Sequence, residues 1–184
     1  MASKRHSSFD KPPSSFHKFP LMSLSVPPKP RIPTGGRHKL TIVASQFNQE
    51  YTNGMVESAI DELASVVPSA RVDLIRVPGA FEIPLATKLV LENEEPTAVI
   101  CLGLILEGET AHAELVANSV TDQLLQLSVL YSTPVIHEVL LVETHEQAHA
   151  RCLGVEINRG VDAARAAASM MEVCKELTKV ARAR

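Results

Sequence analysis

Cysteine and aromatic residues are scarce in this sequence of 184 residues, which has no tryptophan, two tyrosines and three cysteines. Three cysteines without a Cys-x-x-Cys spacing form no disulfide framework, so we expect reduced thiols and a cytoplasmic protein. Because no apolar run approaches the roughly 20 residues that span a bilayer, we expect no membrane segment. His145 and His149 are spaced like metal ligands on a helix but have no third ligand, so we predict no metal site.

Acidic residues are nearly missing from the first 38 residues, which carry seven lysines and arginines but one aspartate, a net charge of +6. The remaining residues hold eleven basic and twenty acidic side chains, a net charge of −9. The repeated prolines of residues 1–38 exclude a helical or strand period. We therefore predict a basic, Pro/Ser-rich disordered extension at residues 1–38, dispensable for chemistry, before a domain at residues 39–184.

Two other interpretations of the extension stay open. An organellar transit peptide would suit its serine content and its lack of acidic residues, although no amphipathic, Arg-rich helix is visible. A salt-dependent contact with polyanions is a looser hypothesis, and nucleic acid is not the expected partner.

Short apolar runs alternate with amphipathic segments along the predicted domain. Four runs are expected to be strands: Lys39–Ser45, Arg71–Val77, Ala98–Leu106 and Pro134–Val142. Helices are expected from about Glu50 to Val66, Ile83 to Glu92, Thr110 to Tyr131, Thr144 to beyond Arg151, and Ala163 to Ala181. This alternation predicts parallel βαβ units, and hence a three-layer α/β/α sandwich with a four-stranded parallel sheet in flavodoxin-like order.

The helical period also predicts which side chains face the core. On the first helix these are Met55, Val56, Ala59, Ile60, Leu63 and Val67. On the long third helix they are Leu115, Val116, Val120, Leu124, Leu127 and Leu130. These assignments rest on the spacing of apolar residues along each helix.

The turn after the third strand is the most informative stretch of the chain. Glu107-Gly108-Glu109 breaks a buried run, Thr110 stands where a helix N-cap is expected, and His112 falls in the first helical turn. Free N–H groups and the helix dipole converge at such a turn and favour an anion. The alternative is that Thr110 is only a cap and His112 only a surface residue.

Ligands of parallel α/β sheets bind beyond the carboxyl ends of the strands. In this chain those positions hold Phe47-Asn48, Pro78 to Glu82, Glu107 to His112 and the residues after Val142. No Gly-x-Gly-x-x-Gly and no Walker lysine loop is present, so the usual nucleotide fingerprints are missing. A flavodoxin-like signalling or electron-transfer domain shares the strand pattern, but its acidic phosphoacceptor cluster and its phosphate loop are not visible.

The segments at the strand ends match the motifs of a known family. They are Phe47-Asn48, Val77-Pro-Gly-Ala-Phe-Glu-Ile-Pro84, Gly103-x-x-x-x-Gly108-Glu-Thr-x-His112, Pro134-Val-Ile136, Glu146-Gln-Ala148-x-x-Arg151 and Asn158-x-Gly160. From about Lys39 to the C-terminus the chain resembles the 6,7-dimethyl-8-ribityllumazine synthase family. The combination of the second and third motifs is specific, whereas either alone is only suggestive.

The resemblance implies a transferase of riboflavin biosynthesis. The family condenses 5-amino-6-(D-ribitylamino)uracil with 3,4-dihydroxy-2-butanone 4-phosphate to 6,7-dimethyl-8-ribityllumazine, and releases phosphate and water. The resemblance further implies no metal or organic cofactor. It implies a homopentamer or a multiple of it, up to a sixty-subunit capsid, with the active site between subunits, and it raises riboflavin synthase as a candidate partner.

The resemblance also implies roles for individual residues. His112 would carry protons, as a group that titrates near neutral pH can. The pyrimidine and its ribityl chain would be bound by Phe47, Ala80, Phe81, Glu82, the backbone of Leu104, Ile105 and Leu106, and His137. The phosphate would be held by Glu109, Thr110 and Arg151, which suits a dianion at a helix N-terminus. Additional candidates are Asn48 and Arg159.

Five positions depart from the family pattern: Glu107 stands for Arg, Ala113 for an aromatic residue, His137 for Phe, Glu138 for Gly and Arg159 for Lys. Glu107 places a carboxylate beside the expected phosphate site. A carboxylate about 4 Å from a dianion costs on the order of several kcal/mol at an effective dielectric near 20. We therefore favour a Glu107 that points away and pairs with Arg159 or Arg151 of its own or a neighbouring chain. The alternative is a Glu107 that faces the phosphate.

Two other functions compete with the enzyme. A paralogue could bind a pyrimidine, lumazine or flavin without turnover, and the changes at Glu107, Ala113 and His137 would suit it. A shell-forming scaffold is the second. The intact set of Phe47, Thr110, His112 and Arg151 favours the enzyme.

Overall fold

The computed structural model describes residues 29, 30 and 38–182. Four strands alternate with five α helices in this part of the chain. The strands are β1 (His38–Ser45), β2 (Ala70–Val77), β3 (Ala98–Leu106) and β4 (Val135–Val142). The helices are α1 (Gln49–Val66), α2 (Ile83–Asn93), α3 (His112–Tyr131), α4 (His145–Cys152) and α5 (Arg159–Arg182), and a 3-10 turn at Ala80–Glu82 precedes α2.

The strands form one parallel sheet in the order β2-β1-β3-β4. Successive side chains of a strand point to opposite faces. Accordingly Ile42 packs with α1, α4 and α5, whereas Val43 packs with α2 and α3. This arrangement confirms the predicted α/β/α sandwich and its strand order.

Close packing of α5 on α1 depends on a glycine. A Cβ atom at Gly160 would overlap the backbone carbonyl of Met55. Ala163, Ala164, Ala167 and Ala168 continue the contact with fully buried, small side chains. The two helices can therefore approach closely over the first turns of α5.

Two helix starts differ from the sequence prediction. Helix α3 begins at His112 with Ala111 as its N-cap, so Thr110 is not the cap, and no side chain caps this end. Helix α5 begins at Arg159 rather than Ala163, because Asn158 Oδ1 accepts hydrogen bonds from the N–H groups of Gly160 and Val161 at 3.0 and 3.2 Å. A segment that reads as an interruption is thus an N-cap followed by a first turn.

Three residues expected in the core are exposed instead. Ile60, Leu115 and Leu130 keep 38%, 65% and 72% of their surface accessible. The period of a helix gives the direction of its apolar stripe but not its width. On α3 the apolar residues extend beyond the stripe that meets the sheet, and Leu125 and Val129 are also exposed.

The predicted extension falls almost entirely on residues outside the described part of the chain. Of its residues, Lys29 donates a hydrogen bond to Ser65 Oγ at 2.7 Å and lies 3.9 Å from the carboxylate of Glu62, both on α1. Within the described residues, no helix has the length and apolar character that crossing a bilayer requires.

Replacement of Gly160 by alanine tests the close packing of α1 and α5. We expect Gly160→Ala to lower the free energy of unfolding by about 1–3 kcal/mol, because the new methyl group must push α5 away from Met55. Gly108→Ala is the matched control, since nothing lies within 4 Å of a Cβ atom there. Guanidinium denaturation measures both, and equal stabilities of the two variants would contradict this account.

Candidate active site

A cavity of about 430 Å³ opens at the carboxyl ends of the strands. It is lined by nine of the residues that the sequence nominated: Phe47, Asn48, Ala80, Phe81, Glu82, Leu104, Ile105, Leu106 and His112. Gly79, Ala113 and Val116 complete the lining. The ends of β1, β2 and β3 and the start of α3 therefore meet at one concave surface.

The loop after β1 is fixed to the end of β3 by Asn48. This residue adopts a left-handed conformation with φ 56°, which asparagine tolerates better than most residues. Its side-chain amide donates a hydrogen bond of 2.9 Å to the carbonyl oxygen of Leu104. Phe47 N–H in turn donates to Pro78 O at 3.1 Å. These bonds hold Phe47 at the cavity, where 71% of its surface is exposed.

The turn after β2 presents a second aromatic ring. Glu82 Oε2 accepts a hydrogen bond of 2.9 Å from Gly79 N–H and so closes the turn. Phe81 stays 63% exposed within this turn. Two exposed phenylalanine rings thus border the cavity, and such rings can stack on a planar ligand.

Helix α3 supplies the histidine of the cavity. His112 is the first residue of the helix and its side chain is exposed, while Ala113 behind it is buried. Glu109 and Thr110 precede it in the exposed turn and do not line the cavity. Because no side chain caps α3, its first N–H groups stay free for an anion beside His112.

Three other nominated residues lie elsewhere in the chain. His137 is on β4, the edge strand of the sheet, and Arg151 and Arg159 are on α4 and α5. Arg151 Nη1 donates to Gln147 O at 3.2 Å, and Arg159 Nη1 lies 3.2 Å from Asp162 Oδ2. None of the three lines the cavity within the described residues. In a single chain, these three residues therefore lie outside the cavity that the other candidates line.

Comparison with known proteins assigns the family. A sequence model of 6,7-dimethyl-8-ribityllumazine synthase matches residues 37–175. The chain belongs to this family. A 6,7-dimethyl-8-ribityllumazine synthase of Coxiella burnetii (strain CbuG_Q212) is 38% identical over 145 residues, which cover 78% of this chain and 96% of the relative.

Two further relatives agree with this assignment. The 6,7-dimethyl-8-ribityllumazine synthase of Polaromonas sp. (strain JS666) is 37% identical over 78% of this chain and 91% of its own. The enzyme named 6,7-dimethyl-8-ribityllumazine synthase 1 of Caulobacter vibrioides is 36% identical over 76% of this chain and 92% of its own. The resemblance noted in the sequence is thereby confirmed.

Glu107, where the lumazine synthase pattern has arginine, is exposed. Its N–H donates to Val142 O at 2.8 Å, so its backbone is tied to the end of β4. Within the described residues no ion pair joins Glu107 to Arg151 or Arg159, and the expected pairing inside one chain is therefore wrong. Arg159 instead pairs with Asp162, three residues further along α5, and Arg151 donates to the backbone of its own helix at Gln147 O. Pairing with a neighbouring chain stays a prediction.

Glu138 on β4, another departure from the family pattern, has a carboxyl with a shifted pKa close to Arg159 and Asp162. The pKa of its carboxyl is raised to about 7, chiefly by burial; Arg159 opposes this shift and Asp162 adds to it. Asp162 Oδ1 is itself buried without a hydrogen-bond partner among the described residues. The sequence showed Glu138 as a departure from the family but gave no sign of this burial.

The cysteines have no part in the site. All three are free, and burial raises the pKa of Cys101 to about 12 and that of Cys152 to about 11. Such thiols stay protonated and are poor nucleophiles and metal ligands. Within the described residues, no group of three His, Cys, Asp or Glu side chains is arranged to hold a metal ion.

Three lining residues were missed by the sequence reasoning. Val116 follows His112 by four residues and so lies on the same face of α3, a signal that helical spacing offered. Ala113 was noted only as a departure, and its small side chain leaves room beside His112. Gly79 is part of a quoted motif but carries no side chain that chemistry would single out.

The raised pKa of Glu138 predicts that the stability of the folded protein depends on pH. Its carboxyl titrates at about 7 in the folded chain against an ordinary 4.5, so the folded state retains a proton that the unfolded state has lost. The protonated carboxyl of Glu138 therefore contributes to folding stability below pH 4.5, and this contribution is lost as the pH rises through about 7. We expect Glu138→Gln to be more stable than the unaltered protein at pH 8 by about 1–3 kcal/mol, and to lose this advantage near pH 4.

Guanidinium denaturation at both pH values provides the measurement. Glu156→Gln, which alters an exposed carboxylate, is the control and should show no such pH-dependent gain. A Glu138→Gln variant that is less stable than the unaltered protein at pH 8 would contradict the expected burial of charge.

Proposed function

We propose that the protein condenses 5-amino-6-(D-ribitylamino)uracil with 3,4-dihydroxy-2-butanone 4-phosphate, and forms 6,7-dimethyl-8-ribityllumazine with release of phosphate and water. The observation that carries this proposal is the placement of His112 at an uncapped helix N-terminus in a cavity bordered by Phe47 and Phe81. Membership of the lumazine synthase family supplies the reaction. Neither the family match nor the relatives favour a non-catalytic paralogue or a scaffold.

His112 is the proposed proton carrier. Imine formation and ring closure both require proton transfers near neutral pH, which an exposed histidine at the cavity can perform. The first N–H groups of α3 lie beside it and would stabilise the departing phosphate, together with the backbone N–H groups of Glu109 and Thr110 in the preceding turn. The proton carrier and the anion site thus share one helix end.

Phe47 and Phe81 are proposed to bind the pyrimidine. Both rings are more than half exposed without a ligand. Covering them with a planar heterocycle removes apolar surface from water, and stacked rings gain about 0.5–1.5 kcal/mol beyond that burial. Ala80, Ile105 and Leu106 would form the rest of the pocket, while Leu104 O is already engaged by Asn48.

A neighbouring copy is proposed to complete the site. His137, Arg151 and Arg159 do not reach the cavity of their own chain, so a site that uses them requires a second subunit. Large apolar side chains exposed on α2 and α3 offer surface for such contacts: Leu85, Leu89, Leu125, Val129 and Leu130. We propose a homopentamer or a multiple of it. A fully active, stable monomer of 20.0 kDa in analytical ultracentrifugation would end this idea.

The basic extension is proposed to lie outside the catalytic domain. The family match begins at residue 37, close to the expected boundary at residue 39. This agreement supports an extension that is separate from the chemistry.

Single substitutions separate the two proposed roles. We expect His112→Ala to lower turnover by about 10²–10⁴-fold without loss of folding. Arg151→Ala removes a charge-assisted contact worth roughly 1.5–3 kcal/mol and should mainly raise the KM for butanone phosphate. Formation of the lumazine chromophore from both substrates is the assay. A raised KM for the pyrimidine alone in Arg151→Ala would show that this residue is assigned wrongly.

Co-assembly of the two variants tests whether the site is shared. If one subunit supplies His112 and its neighbour supplies Arg151, random co-assembly in equal amounts restores about one quarter of the sites. The activity of co-expressed, separately tagged chains at low butanone phosphate should therefore exceed the activity of a mixture of the two separately assembled variants. Activity no higher than that mixture would place both residues in one chain's site.

A further inference from the structure

The ring of His137 is held by a chain of hydrogen bonds that the lumazine synthase motifs do not include. Thr121 Oγ1, on α3, lies 2.8 Å from the carbonyl oxygen of Ala117 and 3.0 Å from His137 Nε2. Both distances are those of good hydrogen bonds. The three groups therefore form a continuous chain from β4 to the backbone of α3.

The direction of these bonds follows from the number of protons. A carbonyl oxygen can only accept, so the single hydroxyl proton of Thr121 is directed at Ala117 O. Thr121 Oγ1 then accepts from His137, which places a proton on Nε2. A proton on Nε2 leaves Nδ1 of the uncharged ring without one, against the pull of the residue's own backbone carbonyl on a proton at Nδ1.

The ring is held in its uncharged form by its surroundings. Burial lowers the pKa of His137, and this effect exceeds the opposite influence of the residue's own backbone carbonyl. An uncharged imidazole is a flat ring that can stack, as phenylalanine does, but its edge is polar. Such a ring turns easily about its side-chain bonds unless a partner fixes it.

We propose that Thr121 is a positioning residue that fixes His137 as the Nε2–H tautomer and holds its ring flat for the pyrimidine substrate in the cavity of a neighbouring subunit. This inference rests on the proposed function and on the shared site. The hydrogen bond restrains a ring that could otherwise turn to satisfy its own polar edge. Thr121 itself does not contact the substrate.

The first test is spectroscopic and needs no turnover. Solid-state ¹⁵N NMR of the histidine-labelled full-length assembly reports the tautomer of each ring, and His137→Phe identifies the signals of His137. We expect the Nε2–H form in the unaltered protein and in Thr121→Ser, and loss of that preference in Thr121→Val. An Nδ1–H ring in the unaltered protein, or no change in Thr121→Val, would overturn the proposal.

The second test is a double-mutant cycle on the kinetics. Thr121→Val should raise the KM for the pyrimidine about threefold to tenfold, the loss of one ordinary hydrogen bond, with kcat and the KM for butanone phosphate little changed. Thr121→Ser should behave like the unaltered protein. In a His137→Phe background Thr121→Val should have no further effect, because the ring has no polar edge to hold.

The two tests separate failure of this inference from failure of the proposed function. An equal effect of Thr121→Val in both backgrounds means that Thr121 acts on the packing of α3, and the inference is wrong. If the unaltered protein forms no lumazine, the proposed function is wrong and with it the substrate assigned to His137. The NMR result then still decides whether Thr121 fixes the tautomer.

Discussion

Burial of β3 on both faces fixes the position of every loop that forms the cavity. Seven consecutive residues of this strand, from Ala98, are fully buried between the two helical layers. Because β1, β2 and β3 run parallel, their carboxyl ends open at the same edge, and the polar residues that cannot enter the core collect there. The amide bond from Asn48 to Leu104 then ties the first of these loops to β3 itself.

The charged residues proposed for the site differ in sign between the cavity and helices α4 and α5. The cavity side offers backbone N–H groups of α3 and His112, but its nearby charged side chains are the carboxylates of Glu82, Glu107 and Glu109. The proposed compensating positive charge is that of Arg151 and Arg159, on α4 and α5. If two copies share the site as proposed, binding of a phosphate would depend on their assembly.

The edge strand β4 carries two of the departures from the family, and they face different layers. His137 contacts α3 through Thr121, whereas Glu138 is influenced by Arg159 and Asp162 at the start of α5. One edge strand therefore places the imidazole ring of His137 against α3 and the carboxyl of Glu138, with its raised pKa, near α5. Substitutions at such a strand can alter a site without disturbing the core that supports it.

The sequence was sufficient for the features that depend on local pattern. The prediction of four strands, their order and the motifs at their ends was correct, because buried apolar runs and loop residues can be recognised from adjacent positions in the sequence. The start of α5 was wrong because Asn158-Arg159-Gly160 was interpreted as an interruption, whereas Asn158 caps the helix through bonds to Gly160 and Val161. The exposure of Leu115 and Leu130 was likewise not predicted, because helical spacing does not show how much of an apolar helix contacts the sheet.

Family membership and the residues of the strand ends were therefore determined by the sequence alone. The tertiary structure decided which of those residues share a cavity, and that Arg151, Arg159 and His137 lie apart from it. It also decided the pKa of Glu138, because the burial of this residue depends on the helices packed over β4 rather than on adjacent residues in the chain. Contacts between residues distant in sequence are set by the packing of whole elements, and no local pattern encodes them.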